Sequence, residues 1–185
     1  GRPNREDFRQ VFSGKRVLVT GHTGFKGAWL SLWLESLGAE VTGVGLDPAT
    51  SPSLFSLCSS VSCVEDLRLD IRNIDSVSGV IDRVRPEFVF HLAAQAIVSQ
   101  SFHEPLFTFE TNVLGSINVL EGLRRAEKPT QVVMITSDKA YANQEWVWGY
   151  RESDRLGGHD PYSGSKAAAE RSEEHTSELQ SRQYL

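Results

Sequence analysis

Residues 16–27 read RVLVTGHTGFKG, a short apolar run followed by a glycine-rich turn. Its first five residues are mostly apolar or β-branched, which predicts a short buried strand, and apolar residues then recur at helical spacing over 27–37. Between the strand and the helix lie Gly21, Gly24 and Gly27. Such a glycine pattern is a weak signal alone, but one that follows a strand and opens a helix is typical of a dinucleotide-binding turn. A plain glycine-rich connection is the less favoured alternative.

The three glycines have separate tasks in such a turn. The first permits the tight turn, the second lets a pyrophosphate approach the backbone, and the third lets the helix pack close to the sheet. A second strand over 40–46 delivers Asp47, where a carboxylate accepts hydrogen bonds from both ribose hydroxyls and repels a 2′-phosphate. This favours NAD over NADP, although Lys26 is a cation near the turn that could tolerate the extra phosphate.

Strands and helices continue to alternate along the chain. The pattern predicts further strands over 64–69, 87–92 and 131–136 and helices over 74–84 and 106–126. Another helix is predicted to begin at Pro161, because proline is favoured at the first helical position. Alternating strands and helices form βαβ units, so we predict an α/β fold with a doubly wound parallel sheet.

The composition points to a small-molecule partner. With 39% hydrophobic and 23% charged residues, the 185-residue chain can bury one core, and its net charge of -5 argues against nucleic-acid or anionic-membrane surfaces. No apolar run approaches the roughly 20 residues that span a bilayer. Cys58 and Cys63 do not form a metal-type or C-x-x-C arrangement, so we expect a reducing, cytoplasmic compartment and no metal.

Residues 162–166 read YSGSK and place a phenol and an ammonium one helical turn apart. At this spacing Tyr162 and Lys166 share a helix face, and a neighbouring cation favours the ionised form of a phenol. Such a phenol can remove a hydroxyl proton near neutral pH. Taken alone, the pair is better interpreted as a solvated helix pair, so the catalytic interpretation depends on the other motifs.

Those motifs occur in a characteristic order: TGxxGxxG from Thr20, HLAAQ from His91, Asn112, Ser137 and YxxxK from Tyr162. With them, the chain resembles the extended short-chain dehydrogenase/reductase family of NAD-dependent epimerases and dehydratases. Segments 21–29, 136–141 and 146–152 are similar to the branch whose members dehydrate CDP-glucose. The resemblance covers about 12–170 and implies a Rossmann fold, NAD as cofactor, a nucleotide-sugar substrate and a homodimer of the full-length protein.

The resemblance also implies catalytic roles. Tyr162 is expected to take the proton of the sugar C4 hydroxyl, with Lys166 supporting it and binding the nicotinamide ribose, while Ser137 hydrogen-bonds the same oxygen. Asp138 is the expected general acid for the leaving C6 hydroxyl, and Lys139 the expected base for the C5 proton. Dehydratases of related nucleotide sugars carry Asp-Glu here, and 4-epimerases generally carry small or uncharged residues. Asp138 therefore favours dehydration over epimerisation.

The expected activity is dehydration of CDP-glucose to CDP-4-dehydro-6-deoxy-glucose. Another nucleotide-sugar 4,6-dehydratase, a 4-epimerase and an inert NAD-binding scaffold are the alternatives. Trp146, Trp148 and Tyr150 either shape the sugar pocket or form a small core within their own loop. The residues expected to bind the cofactor are Gly21, Thr23, Gly24, Phe25, Gly27, Asp47, Asp70, Ile71, Ala93, Ala94, Tyr162 and Lys166. Of these, Asp70 and Ile71 are expected to border the adenine, and the small Ala93 and Ala94 to leave room for the cofactor; ordinary strand-end residues are the alternative for these four.

From Arg171 the chain loses its apolar periodicity. The segment 171–181 reads RSEEHTSELQS, which closely resembles the translation of a sequencing-adapter oligonucleotide. We therefore divide the chain into an NAD-binding domain with the catalytic residues over 1–170 and a non-native tail over 171–185. A solvated helix continuing from Glu170 is the alternative. Because the family has a further C-terminal part with most of the substrate pocket, the 185 residues alone are expected to be inactive.

Overall fold

The structure is a computed structural model that describes residues 4–58 and 64–182, with side chains described up to Ser172. Cys63, one of the two cysteines in the sequence, lies outside these residues. The chain divides into two compact units, which we call unit 1 and unit 2. Unit 1 comprises Gly1–Ala93 with Gly122–Ile135, and unit 2 comprises Ala94–Glu121 with Thr136–Leu185.

Unit 1 contains a five-stranded sheet in which every neighbouring pair is parallel. The order is β3-β2-β1-β4-β5, so the chain moves outward from β1 first in one direction and then in the other. This confirms the predicted doubly wound parallel sheet. The strands are β1 (Arg16–Thr20), β2 (Glu40–Gly45), β3 (Glu65–Arg68), β4 (Phe88–His91) and β5 (Gln131–Met134).

Four helices begin in the first part of unit 1: α1 (Arg5–Phe12), α2 (Phe25–Ser36), α3 (Leu54–Cys58) and α4 (Ile74–Val84). The bounds of α4 agree with the prediction, because Asn73 caps its first turn and a left-handed Arg85 ends it one residue before Pro86. The sequence analysis did not predict α1. Its capping box pairs Asn4 with Asp7, and its polar composition hid that signal.

The core of unit 1 lies where α1 and α2 pack against the central strands. Its members are Phe12, Val17, Val19, Leu34, Leu37 and Val41. Each such side chain contributes about 1.5–3 kcal/mol when it is removed from water. This packing directs the N-terminus of α2 to the carboxyl end of β1, where the glycine turn connects them.

Unit 2 contains α5 (Val98–His103), α6 (Pro105–Phe109), a π-helical segment (Glu110–Leu114), the first part of α7 (Gly115–Arg125), a 3-10 turn (Asp138–Ala140) and α8 (Pro161–Arg182). The single helix predicted over 106–126 is therefore interrupted by a π-helical segment. Wide turns of this kind insert a residue into a helix and are frequent at functional sites. Here the segment carries the buried Asn112.

Helix α8 begins at Pro161, as predicted, and packs against α5, α6, the π-helical segment and the 3-10 turn. Its backbone continues past Glu170 to Arg182, which agrees with the helical alternative for the conformation of the tail. Across the described ranges, no helix combines the length and the hydropathy needed to cross a membrane.

Candidate active site

The predicted site residues are divided between the two units. Unit 1 holds Gly21, Thr23, Gly24, Phe25, Gly27, Asp47, Asp70, Ile71 and Ala93, and unit 2 holds Ala94, Ser137, Asp138, Lys139, Tyr162 and Lys166.

Steric crowding explains two of the three glycines in the turn. Gly21 has a φ of +74°, and a Cβ there would lie 2.7 Å from the Ala93 nitrogen. A Cβ on Gly27 would overlap the carbonyl oxygen of Gly21. At Gly24 the nearest atom to a Cβ would be that same oxygen at 3.3 Å, so the protein itself leaves more room there. The space beside Gly24 suits the close approach of a ligand.

The turn presents an unblocked helix N-terminus. Gly24 is the N-cap of α2 and has no side chain to bond the first-turn N–H groups, while Phe25 and Lys26 are exposed. The Thr23 hydroxyl donates to the Leu46 carbonyl at 2.9 Å, which holds the turn against the end of β2. Free N–H groups and the helix dipole together favour an anion. The turn therefore fits the pyrophosphate of a dinucleotide.

Asp47 follows β2 and is the most accessible of the predicted cofactor carboxylates. Its side chain is 91% exposed, and the Arg68 guanidinium lies 3.7 Å from its Oδ1 atom. A carboxylate held at the end of the second strand can accept hydrogen bonds from ribose hydroxyls. The geometry of Asp47 fits the predicted role.

The carboxylate of Asp70 is already bound by a neighbouring arginine. Its two oxygens accept four hydrogen bonds from Arg72, between 2.7 and 3.1 Å, including one from the backbone N–H. The side-chain hydrogen bond from Arg72 holds the pKa of Asp70 below its ordinary value. The carboxylate has little accepting capacity left for an adenine. The side chain of Ile71 is buried and therefore offers little surface to an adenine.

A hydrogen-bonded junction joins the ends of β1 and β4. The Thr20 hydroxyl accepts the N–H groups of Leu92 and Ala93, both at 3.1 Å, which occupies both of its lone pairs. The Thr20 hydroxyl and Nδ1 of the buried His91 are also hydrogen-bonded, at 2.7 Å. This junction fixes Ala93 directly beside Gly21.

In unit 2, Tyr162 and Lys166 occupy the first two turns of α8, and each is 8% exposed. The solvated-pair alternative is therefore wrong for these residues. Desolvation by burial lowers the pKa of Lys166. Between them, Ser165 is fully buried and donates its hydroxyl proton to the Tyr162 carbonyl at 2.7 Å. The sequence YSGSK thus builds a buried helix face.

The buried lysine predicts a specific pH dependence of stability. Because the pKa of Lys166 is lowered on folding, the unfolded chain binds more protons in the alkaline range, and this residue destabilises the fold at neutral pH. We expect the free energy of unfolding of the wild type, relative to Lys166→Met, to rise with pH up to about 10.5 and then level off. Urea unfolding at a series of pH values measures this difference, and a decrease with rising pH would contradict the prediction.

Asn112 braces α8 from the π-helical segment. Its Oδ1 accepts the Gln95 N–H at 2.8 Å, and its Nδ2 donates to the Gln95 carbonyl at 3.0 Å and to Ser165 Oγ at 2.9 Å. Sequence reasoning noted Asn112 as a motif residue but assigned it no function. The only signal was its fixed place in the motif order, because its partners are 17 and 53 residues away.

Removing this amide should be costly. Asn112→Ala leaves the Gln95 backbone and the Ser165 hydroxyl buried without their partner, and we expect a loss of about 3 kcal/mol in the free energy of unfolding. Asn143→Ala is the matched control, since that exposed side chain also makes hydrogen bonds, and it should cost less than about 1 kcal/mol. Equal urea-unfolding midpoints for the two variants would refute the bracing role.

The predicted acid and base lie at the 3-10 turn, which packs against α8. Ser137 is the N-cap of this turn; its hydroxyl accepts the Lys139 N–H and donates to Asp138 Oδ1, both at 3.2 Å. The side chains of Asp138 and Lys139 are exposed. The turn therefore presents the side chains of both Asp138 and Lys139 to solvent, and Ser137 caps it.

Asp160 lies just before α8 and interacts with both Ser163 and the charge of Lys139. Burial alone would raise the pKa of Asp160, but hydrogen bonds from the side chain and backbone of Ser163, together with the nearby Lys139 charge, lower it. The Ser163 N–H and hydroxyl donate to the two carboxylate oxygens at 2.9 and 2.7 Å. An ionised Asp160 therefore caps α8 and is stabilised by the positive charge of Lys139.

The aromatic residues of the loop before α8 differ in their surroundings. Tyr150 stacks on Tyr141 with ring centroids 5.3 Å apart, and Trp146 lies 5.8 Å from Tyr150, so these rings pack against one another while Trp146 stays exposed. Trp148 remains exposed. Glu170, which accepts the Tyr141 hydroxyl proton at 2.7 Å, raises the pKa of Tyr141 to about 12. This phenol is held in its neutral form.

Comparisons with known proteins agree with the fold. A family model described as GDP-mannose 4,6 dehydratase matches residues 18–180. The chain is 49% identical over 162 residues to CDP-glucose 4,6-dehydratase of Salmonella typhimurium, a match that covers 88% of this chain and 45% of that enzyme.

Two solved structures are also similar. An epimerase of Methanothermobacter thermautotrophicus superposes with a TM-score of 0.83 at 26% identity, covering 96% of this chain and 52% of that one. UDP-glucose 4-epimerase of Thermus thermophilus, solved in complex with NAD, superposes with a TM-score of 0.75 at 28% identity, covering 89% and 51%. The chain spans about half the length of the curated relatives it matches.

Proposed function

This chain belongs to the family described as GDP-mannose 4,6 dehydratase, and on that premise we propose that the complete protein is an NAD-dependent 4,6-dehydratase of nucleotide sugars. We further propose CDP-glucose as the substrate and CDP-4-dehydro-6-deoxy-glucose as the product. The observation that carries the substrate is the 49% identity to the Salmonella enzyme of that name. The reaction eliminates water across C5 and C6 of the sugar.

NAD supplies the redox chemistry when bound, accepting a hydride from C4 and returning it to C6. The glycine turn and the N-terminus of α2 would hold its pyrophosphate, and Asp47 its adenosine ribose. The full proposed set is Gly21, Thr23, Gly24, Phe25, Gly27, Asp47, Asp70, Ile71, Ala93, Ala94, Tyr162 and Lys166. Asp70 is the weakest member, because Arg72 already occupies its oxygens.

Three residues act on the C4 oxygen. Tyr162 takes the proton of the C4 hydroxyl as C4 is oxidised, and the Ser137 hydroxyl hydrogen-bonds the same oxygen. Lys166 would bind the nicotinamide ribose and support Tyr162 from the next turn of α8. The burial of both side chains on the same helix, one turn apart, supports this shared task.

Two residues carry out the elimination. The 4-ketone acidifies the C5 proton. Lys139, acting as the neutral amine, removes that proton, and Asp138, acting as the protonated carboxylic acid, donates a proton to the C6 hydroxyl, which leaves as water. Their adjacent positions at the 3-10 turn support a shared task. An acid at this position also favours dehydration over 4-epimerisation, which eliminates no water. A 4-epimerase, a dehydratase of another nucleotide sugar and an inert NAD-binding scaffold are the alternatives.

The test is turnover by the full-length protein. It is incubated with NAD and, in parallel, with CDP-glucose, dTDP-glucose, UDP-glucose and GDP-mannose, and the products are resolved by mass spectrometry. We expect a product lighter by one water only from CDP-glucose. Turnover of a different nucleotide sugar would contradict the substrate, and a product of unchanged mass would contradict dehydration.

Three further expectations complete the proposal. The full-length protein is a homodimer and acts in the cytoplasm, and the isolated 185 residues show no turnover. We also propose that residues 171–185 are not native and that the native protein has a different sequence after Glu170. Reading the coding DNA past the codon for Glu170 tests this last point directly.

A further inference from the structure

Arg68, the last residue of β3, lies at the carboxyl end of the sheet beside the predicted ribose carboxylate. Its Nη1 atom is 3.7 Å from Asp47 Oδ1 and donates a hydrogen bond to the Leu46 carbonyl at 2.8 Å. Neither the sequence motifs nor the proposed reaction uses this residue. A cation at this position is unexpected beside a carboxylate that should select against a phosphate.

The Arg68 guanidinium is held in place without help from Asp47. Its Nη2 atom donates to Asp66 Oδ2 at 2.9 Å, and its central carbon lies 4.9 Å from the centre of the Phe55 ring. Asp66 is itself fixed, because its Oδ1 accepts a hydrogen bond from Nε2 of the buried His22 at 2.8 Å. Loss of the Asp47 charge would therefore leave the guanidinium where it is.

The guanidinium also retains hydrogen-bonding capacity. Arginine has five N–H donors, and the two hydrogen bonds to Leu46 and Asp66 use one each. Its side chain is 35% exposed, so solvent or a ligand can reach it. A planar guanidinium with free donors is the side chain best suited to bind a phosphate.

We propose that Arg68 is a specificity-determining residue, and that Asp47 and Arg68 together set the choice between NAD and NADP. Asp47 accepts the ribose hydroxyls of NAD, repels a 2′-phosphate and offsets the charge of Arg68. Arg68 is a pre-positioned phosphate-binding group that Asp47 masks. The proposal rests on the cofactor site alone and does not depend on the dehydratase reaction or its substrate.

Binding measurements on the nucleotide-free full-length protein test the proposal. NAD and NADP are titrated separately, with tryptophan fluorescence or calorimetry as the readout. We expect Asp47→Asn to lower the Kd for NADP by about 10-fold to 100-fold, the range of a charge-assisted hydrogen bond. The same variant should bind NAD a few-fold more weakly, because an amide oxygen is a poorer acceptor than a carboxylate.

The double variant Asp47→Asn/Arg68→Gln isolates the arginine. It should lose the gain in NADP affinity while binding NAD as Asp47→Asn alone does. Asp47→Asn/Arg68→Lys keeps the charge without the planar fork and should retain part of the gain, which guards against simple misfolding of the Gln variant. Asp47→Asn/Arg83→Gln is the matched control, because Arg83 pairs with Glu65 at the other end of β3.

The outcomes are distinct. A gain for Asp47→Asn that disappears with Arg68→Gln and survives Arg83→Gln supports the proposal. A gain that survives Arg68→Gln, or no gain for Asp47→Asn, overturns it. Because NAD binding by every variant is measured in parallel and no turnover is involved, these results stand whichever nucleotide sugar the enzyme uses.

Discussion

Tyr162→Phe should lower kcat by about 100-fold to 10,000-fold, the range of a lost general acid–base group. The phenyl ring fills the same buried position on α8, so the fold should be nearly unchanged, and saturating NAD keeps any loss of cofactor affinity from affecting kcat. The rate of C4 oxidation should be the rate that falls, because the C4 hydroxyl then has no base. Single-turnover measurement of nicotinamide reduction separates this step from the later elimination.

Tyr141→Phe is the matched control for this variant. Tyr141 also lies in unit 2, but its proton is held by Glu170 and its pKa is raised to about 12, so it cannot serve as a base near neutral pH. We expect kcat to change by less than about 10-fold. A Tyr162→Phe enzyme as active as Tyr141→Phe would show that the C4 proton leaves by another route.

Asp138→Asn should block the elimination and leave the first oxidation intact. The amide keeps the shape of the side chain but cannot protonate the leaving C6 hydroxyl, so we expect overall turnover to fall by about 100-fold or more. The enzyme would then stop after C4 oxidation, with its nicotinamide reduced. Near-ultraviolet absorbance of the enzyme-bound cofactor should rise on addition of CDP-glucose and remain high.

This accumulation distinguishes Asp138 from a structural residue. Asp154→Asn is the control, because Asp154 accepts a hydrogen bond from the Arg151 backbone in the neighbouring loop and has no proposed role in proton transfer. It should turn over without accumulating reduced cofactor. If Asp138→Asn formed product at the rate of Asp154→Asn, another group would have to be the acid.

The parts of the fold that local sequence determines were predictable. All five strands were predicted near their observed positions. Short apolar runs between turn residues identify β1, β2, β4 and β5, whereas β3 is a mostly exposed edge strand. Helix α4 was found with its full length, since Asn73 and Pro86 mark its ends. Short helices such as α3 gave no periodic signal, because five residues are too few to show one.

Features that depend on distant contacts were not predictable. The interruption of the helix predicted over 106–126 depends on Asn112, whose amide bonds Gln95 and Ser165 across the unit. Arg72 filling the oxygens of Asp70 depends on side-chain conformation, although the two residues are close in sequence. No spacing rule would have placed Arg68 beside Asp47, because β2 and β3 meet only in the folded sheet.

The proposed dehydration of CDP-glucose moves hydrogen from C4 to C6 while water leaves. CDP-glucose carrying deuterium at C4 tests this transfer, with NAD-loaded full-length enzyme and product analysis by NMR and mass spectrometry. We expect a product lighter by one water, with a ketone at C4 and the deuterium at C6. Deuterium found at C4 in a sugar of unchanged mass, or lost to solvent, would contradict it.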